Sequence, residues 1–228
     1  MCPLCGGTLS VSGATPAPEE EAGVPPPPWE DPAVPLPRAF LDTWVESLAR
    51  PTDLFRRVPW EHAAARPILY FLIIAILSAF FTMWWEAMLG STEVWPLLAE
   101  LGIARETGGT AAVLRFFLAP FAALLWLLAS SLLFHLFVML LARDRRSFRA
   151  TIRTACYASG PGVLAVVPLV GALVGGLWSL VLVAIGLREA HRMTGGASAT
   201  AVILAVLTPM LFLIGLFFLL LVAGLMAR

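Results

Sequence analysis

Long runs of apolar residues alternate with short arginine-rich segments along most of this chain. The runs begin at Pro67, and a run of about 20 apolar residues is the length of helix that crosses about 30 Å of hydrocarbon. The pattern predicts membrane spans over residues 67–85, 113–141, 154–170, 172–187 and 200–226. It therefore predicts an all-α, polytopic membrane bundle of about five transmembrane helices, extending over residues 67–228.

The third run differs from the others because it is short and contains glycines and prolines, among them Pro161 and Pro168. Proline inside a helix removes a hydrogen bond and bends the helix. We expect a kinked third span and a tight turn at residues 168–171. An alternative remains open, in which the third and fourth runs form a re-entrant hairpin and the chain crosses the membrane fewer times.

Residues 38–66 carry a different pattern, in which apolar side chains recur every three or four positions. Phe40, Leu41, Trp44, Val45 and Leu48 share one helical face, opposite Asp42, Glu46 and Arg50. The spacing predicts an amphipathic helix, followed by a segment rich in arginine, phenylalanine and tryptophan. Such a composition favours a position in the lipid headgroup layer, and packing against the bundle in the cytosol is the alternative.

Residues 1–37 are rich in proline, alanine, glycine and glutamate. A segment of this composition buries too little apolar surface to fold by itself, so we expect a disordered tether. It starts with a CxxC turn formed by Cys2 and Cys5, which could supply half of a tetrahedral zinc site. A complete site would need a second chain, so the expectation is no cofactor unless zinc is shared between chains. A turn without a ligand and a redox dithiol are the alternatives.

Arginine placement predicts the orientation, because positively charged short loops stay in the cytoplasm. Twelve arginines fall on one side of the predicted spans and three on the other, namely Arg105, Arg115 and Arg228. This bias predicts a cytoplasmic N-terminus and an extracytoplasmic C-terminus. The arginines between positions 143 and 153 could also hold anionic lipid headgroups, although their topological role is sufficient to account for them.

His135 is an ionisable residue inside the second span, and such a residue is a candidate functional site. Its structural alternative is a hydrogen bond to a neighbouring helix, and no acidic residue inside a span would pair with it as in a proton relay. Sequence motifs of metalloproteases, serine hydrolases and nucleotide-binding loops are absent from the chain, so we expect no enzymatic activity.

Gly171, Gly175 and Gly176 form a small-residue stripe that would let another helix approach closely. The composition supports the membrane assignment, since 59% of residues are hydrophobic and 13% are charged. A formal net charge of zero gives no reason to expect a nucleic-acid partner. The expected partners are the lipid bilayer and other membrane proteins.

A series of residues resembles the Yip family of Ypt/Rab-GTPase-interacting membrane proteins, in its bacterial branch. The resemblance extends over residues 38–226 and is carried by Trp44, Pro51, Phe55, Arg56, Phe148, Thr151, Arg153, Tyr157, Pro161, Pro168, Gly171, Trp178, Gly186 and His191. It implies five spans, a cytosolic N-terminus and association with other family members, and it carries over no catalytic residues. Eukaryotic relatives act in vesicle transport and bind prenylated GTPases, a partner class that ordinary bacteria lack.

These observations predict a non-enzymatic scaffold or adaptor of the bacterial inner membrane that associates with itself or other membrane proteins and organises lipids. The alternative is a transporter or channel, for which the broken third span and His135 are the evidence. Tyr157, Pro161, Pro168, Trp178 and His191 match the family pattern, and their expected role is helix packing. No small-molecule substrate is evident from the sequence.

Overall fold

The computed structural model describes residues 25–89, 109–168 and 170–226, and within these residues helices are the regular secondary structure. The α-helices are α1 Leu36–Ala49, α2 Pro51–Arg56, α3 Ala65–Leu89, α4 Gly109–Leu141, α5 Phe148–Ala158, α6 Val170–Ala190 and α7 Gly195–Met226. Two 3-10 segments, Pro28–Glu30 and Gly160–Val166, precede α1 and follow α5.

Four helices in the described residues are long and apolar enough to cross a membrane. They contain Ala65–Leu89, Val113–Leu141, Val170–Ala190 and Gly195–Leu219, with mean hydropathies between 2.1 and 2.8. These segments match the predicted first, second, fourth and fifth spans. The prediction of an all-α, multi-pass membrane protein is therefore confirmed.

The predicted third span is not one kinked helix. An 11-residue α-helix ends at Ala158, and a seven-residue 3-10 segment continues the chain. Pro161 has no backbone N–H to donate to an α-helical bond, and glycines on both sides of it weaken the helix further. A 3-10 run of this length is uncommon and requires support from its neighbours.

The broken segment runs beside α3 and in the same direction. At its beginning, Arg153 Nη1 donates to the carbonyl of Ala63, two residues before α3. Farther along, the Gly162 carbonyl accepts a bond from Ser78 Oγ at 2.9 Å, and the Val166 carbonyl accepts one from Trp85 Nε1 at 3.1 Å. The segment thus follows α3 almost to its end, which supports a broken crossing over the re-entrant hairpin.

Helix α1 packs on the bundle through a narrow face of small residues, Ala39, Thr43 and Ser47, all of which are buried. The predicted apolar face is only partly used, because Leu41 and Val45 are 55% and 52% exposed. Small side chains allow the α1 backbone to approach the bundle closely, whereas the apolar pattern alone predicted contact through the larger residues. Leu41 and Val45 instead point away from the protein.

The N-terminal tether ends earlier than the sequence predicted. Residues 25–37 were expected to be disordered, yet Trp29 is 3% exposed and belongs to the main hydrophobic core. The residues between 1 and 24, including the CxxC turn, lie outside the described part of the chain. The correction therefore concerns only the last third of the predicted tether.

The glycine stripe of α6 packs against the broken segment within the same chain. A Cβ atom added to Gly171 would lie 1.8 Å from the Leu164 carbonyl oxygen, and one added to Gly175 would lie 2.6 Å from the Pro161 carbonyl oxygen. A Cβ atom added to Gly176 would meet no atom within 4 Å. Two of the three predicted packing glycines thus hold the 3-10 segment on α6.

We expect Gly175→Ala to lower the thermal unfolding midpoint in detergent, because the new methyl group meets a backbone carbonyl and overpacking typically costs about 1–3 kcal/mol. The adjacent Gly176→Ala is a matched control, since its methyl group enters open space and alanine favours a helix over glycine by up to about 1 kcal/mol. Equal shifts in both variants would contradict the close contact between α6 and the 3-10 segment.

Candidate functional site

Two clusters of buried polar side chains lie at the end of the bundle where α3 begins. The first contains Arg153 of α5, whose side chain is fully buried, and Glu30 of the N-terminal 3-10 segment. Arg153 Nη2 donates to both carboxylate oxygens of Glu30, at 2.6 Å to Oε2. The Tyr157 hydroxyl donates to the same carboxylate. A residue before α1 thus forms an ion pair with a residue more than 120 positions later.

Trp29 fixes the position of Glu30. Its indole Nε1 donates to the Arg66 carbonyl at 2.6 Å, and its backbone N–H donates to Thr43 Oγ1 at 2.9 Å. The ring also contacts Tyr70, with 5.9 Å between centroids, and Tyr70 contacts Tyr157 at 5.6 Å. These contacts attach the N-terminal segment to α1, α3 and α5 together.

The ion pair between Arg153 and Glu30 stabilises the contact between these elements only when both charges are present. Two buried charges lose their hydration, and their mutual attraction offsets that loss only when the geometry is good. Here Arg153 Nη1 also donates to the Ala63 carbonyl at 2.7 Å, so most of the guanidinium has protein partners. Removing one charge leaves the other buried and uncompensated, which typically costs about 3–5 kcal/mol.

Glu30→Gln should therefore lower the free energy of unfolding by several kcal/mol, because a buried arginine loses its counterion. Asp42→Asn is the control, since the ion pair between Asp42 and Arg38 is solvent-exposed and such pairs contribute about 0–1 kcal/mol. The double variant Glu30→Gln with Arg153→Met should recover part of the loss. Thermal unfolding in detergent measures all of them, and equal effects of Glu30→Gln and Asp42→Asn would exclude a structural role for the buried pair.

The second cluster is a chain of hydrogen bonds that joins α4, α5 and the end of α6. The backbone N–H of Arg146 donates to His191 Nδ1 at 3.2 Å. His191 Nε2 lies 2.9 Å from Thr151 Oγ1, which lies 2.9 Å from His135 Nδ1. A backbone N–H can only donate, so a neutral His191 carries its proton on Nε2 and donates to Thr151. Thr151 Oγ1 accepts this bond, and His135 Nδ1 is its second hydrogen-bond partner.

This direction of donation requires His191 to be neutral. Burial, together with the nearby His135 and Arg146, lowers the pKa of His191 from 6.5 to about 4. Protonation of Nδ1 would break the bond from the Arg146 backbone and place a charge beside an arginine. His135, the predicted membrane-site residue, is half-buried and bonds to Thr151 in a structural network rather than standing alone.

The lowered pKa predicts a pH-dependent stability. Between pH 6.5 and about 4 the unfolded chain binds a proton at His191 that the folded chain does not bind, so the free energy of unfolding falls as the pH falls through this range. We expect His191→Gln to reduce the difference in thermal midpoint between pH 7.5 and pH 5. An unchanged difference would mean that other groups account for the acid sensitivity.

The arginines near this end divide into paired and unpaired groups. Arg153 is buried with Glu30, and Arg192 pairs with Asp144 at 3.2 Å, so neither is available to a lipid headgroup without loss of its partner. The side chains of Arg143 and Arg149 are exposed, and in the described residues they form no ion pair. The predicted headgroup cluster therefore does not include Arg153.

A largely apolar groove of about 710 Å³ lies among α3, α4, α5, α6 and α7. Phe71, Leu127, Phe134 and Val183 are among its lining residues, and serines contribute most of its polar atoms. Its lining residue Trp126 is 72% exposed, so the groove is open to the surroundings and is not a sealed cavity.

The remaining predicted site residues have structural positions. Cys2 and Cys5 lie outside the described residues, and within those residues no three histidine, cysteine or acidic side chains come together as a metal site. Trp178 packs against the main core, Pro161 belongs to the 3-10 segment, and Pro168 precedes α6. Sequence reasoning missed Glu30, which stands in a proline-rich segment and carries no motif.

Comparison with models of protein families identifies the family of this chain. The family model of the Yip1 domain matches residues 45–223. No match was found among curated proteins or solved structures. The Yip1 match covers well over half of the chain, including the 3-10 segment, both histidines of the second polar cluster and all four apolar helices. This multi-pass membrane protein therefore belongs to the Yip1 domain family.

Proposed function

We propose that this protein is a non-enzymatic membrane scaffold that associates with a second copy of itself or with other membrane proteins. The observation that carries the proposal is the outer face of α6. Gly176 has no atom within 4 Å of a Cβ position, and its neighbours Leu173 and Leu177 are 65% and 60% exposed. A glycine flanked by leucines on a lipid-facing helix permits close approach of another helix.

The polar clusters support the same proposal, because their side chains are engaged in holding the protein together. Arg153 and Tyr157 both donate to Glu30, and Thr151 bonds to both His135 and His191. A catalytic site requires reactive groups that face a substrate-sized space. Because the polar side chains of these two clusters bond to one another, the clusters favour the scaffold role over catalysis in the described residues.

A transporter or channel is the second candidate function. The broken third segment and the groove beside it favour this candidate, because discontinuous helices line the binding sites of many transporters. His135 supports it less than the sequence suggested, since its Nδ1 bonds to Thr151. Solute or proton flux in liposomes that changes with His135→Ala would favour transport over the scaffold.

We further propose that the end carrying both polar clusters faces the cytoplasm of a bacterial inner membrane. Twelve of the thirteen arginines in the described residues belong to segments that join at this end of the bundle. The thirteenth, Arg115, lies near the beginning of α4, at the opposite end of that helix. Such a bias is typical of the cytoplasmic side. Labelling of Arg57→Cys by an impermeant thiol reagent in right-side-out vesicles would contradict this orientation.

Association through α6 is tested by crosslinking in native membranes and lipid nanodiscs. Gly176→Leu should reduce the crosslinked dimer or heteromeric product about tenfold or more, because the added side chain holds the helices apart. Gly215→Leu in α7 is the matched control, since its Cβ position also faces open space. A strictly monomeric wild-type protein without copurifying partners, or equal losses in both variants, would overturn the scaffold proposal.

A further inference from the structure

Ten of the twenty residues that line the groove among the spanning helices are alanine, serine or glycine. Its lining includes Ala75, Ala129, Ala155, Ala158, Ser179 and Ala205. Phe134 and Val183, which are 9% and 6% exposed, close its inner end. Trp126 and Pro209 also line it but are exposed to the surroundings, and Trp126 is 72% exposed. The groove therefore opens sideways between α4 and α7.

Helix α7 creates this opening by leaving the bundle. Its first half packs tightly, since Ala201, Val202 and Ala205 are buried. From residue 207 to residue 219 every side chain is exposed, and Pro209 lies inside the helix near the start of this stretch. The groove is lined by Ala205, Val206 and Pro209 of α7 and by residues between 126 and 134 of α4, so it lies where α7 leaves the bundle.

The groove opens toward the hydrocarbon core of the bilayer. Trp126 and Pro209 lie within two of the apolar spanning helices, where the surroundings are hydrocarbon. Water is disfavoured because most of the lining is apolar and three of its four serine hydroxyls already donate to backbone carbonyls. Ser78 donates to the Gly162 carbonyl, Ser130 to the Trp126 carbonyl and Ser159 to the Cys156 carbonyl.

The dimensions fit extended hydrocarbon. From Trp126 to Phe134 the lining extends along α4 for about 12 Å at 1.5 Å per residue. A volume of about 710 Å³ over that length corresponds to a mean cross-section of about 60 Å². Carbon atoms in contact are separated by about 4 Å, so two extended chains fit side by side.

We propose that this groove binds the acyl chains of one bilayer phospholipid and retains them as part of the folded structure. The chains fill the space that the small residues leave between α3, α4 and α6. The headgroup lies outside the groove, so recognition is of the hydrocarbon and not of the headgroup charge. This inference is independent of association through α6, because a monomer that retains lipid would support the groove and contradict the scaffold.

The test compares lipid retention in variants whose groove is filled. Ser179→Phe and Ala129→Phe place a phenyl ring in the groove from α6 and α4 respectively, and two variants guard against a folding failure in one. Ala122→Phe is the matched control, because Ala122 lies two helical turns from Ala129 on the same helix, is exposed and does not line the groove. The probe is dioleoylphosphatidylcholine, whose neutral headgroup is not attracted to the arginines.

We expect native mass spectrometry of the full chain in mild detergent to show one strongly retained phospholipid per wild-type and Ala122→Phe chain. Either groove-filling variant should show at least tenfold lower occupancy. Adding the probe to lipid-stripped protein should raise the unfolding midpoint of the wild type and the control but not of the filled variants, because a ligand stabilises only the state that binds it. The proposal would be overturned if all variants retained the phospholipid equally, or if many lipids bound without one strongly retained species. It would also be overturned if the groove crosslinked to a second chain.

Discussion

The buried ion pair between Arg153 and Glu30 is the interaction on which the arrangement of this bundle depends. It joins the N-terminal 3-10 segment to α5, and through Ala63 it also reaches the beginning of α3. An arginine placed at this depth without a partner would be strongly unfavourable. The polar character of α5 is therefore compatible with a membrane bundle only because residues that precede the first span fold back to cover it.

That cover explains why the third passage through the bundle can be broken. Helix α5 packs on α3, α4 and α6 and bonds to the N-terminal segment through Arg153 and Glu30, whereas the following 3-10 segment packs on α1, α3 and the glycine side of α6. Its backbone carbonyls accept bonds from Trp44, Ser78 and Trp85, which replace α-helical bonds that Pro161 and its flanking glycines do not support. Irregular backbone is tolerated at membrane depth when protein surrounds it.

Much of the fold follows from patterns that are local in the sequence. Apolar runs predicted the four spanning helices. Glu30 and Thr151 were not predicted, because their partners lie far away along the chain and a single acid or threonine has no local signal. The burial of Arg153 was missed for a related reason. Arginines beside a span normally report orientation, and sequence alone does not distinguish the one that pairs internally.

The two ends of the bundle differ in how their helices pack, and this difference has a physical origin. At the end with the polar clusters, directional hydrogen bonds fix the relative positions of α4, α5 and α6 through His135, Thr151 and His191. Toward the other end the described helices have mainly apolar surfaces, and lipid solvates such surfaces as well as protein does. No hydrophobic driving force then holds α7 on the bundle beyond Pro209, where the residues to position 219 are exposed, and the groove lies at this point of departure, lined by Ala205, Val206 and Pro209. A rigid polar end and an open apolar end thus arise from the same solvent, because the bilayer penalises unpaired polar groups and is indifferent to unpaired apolar ones.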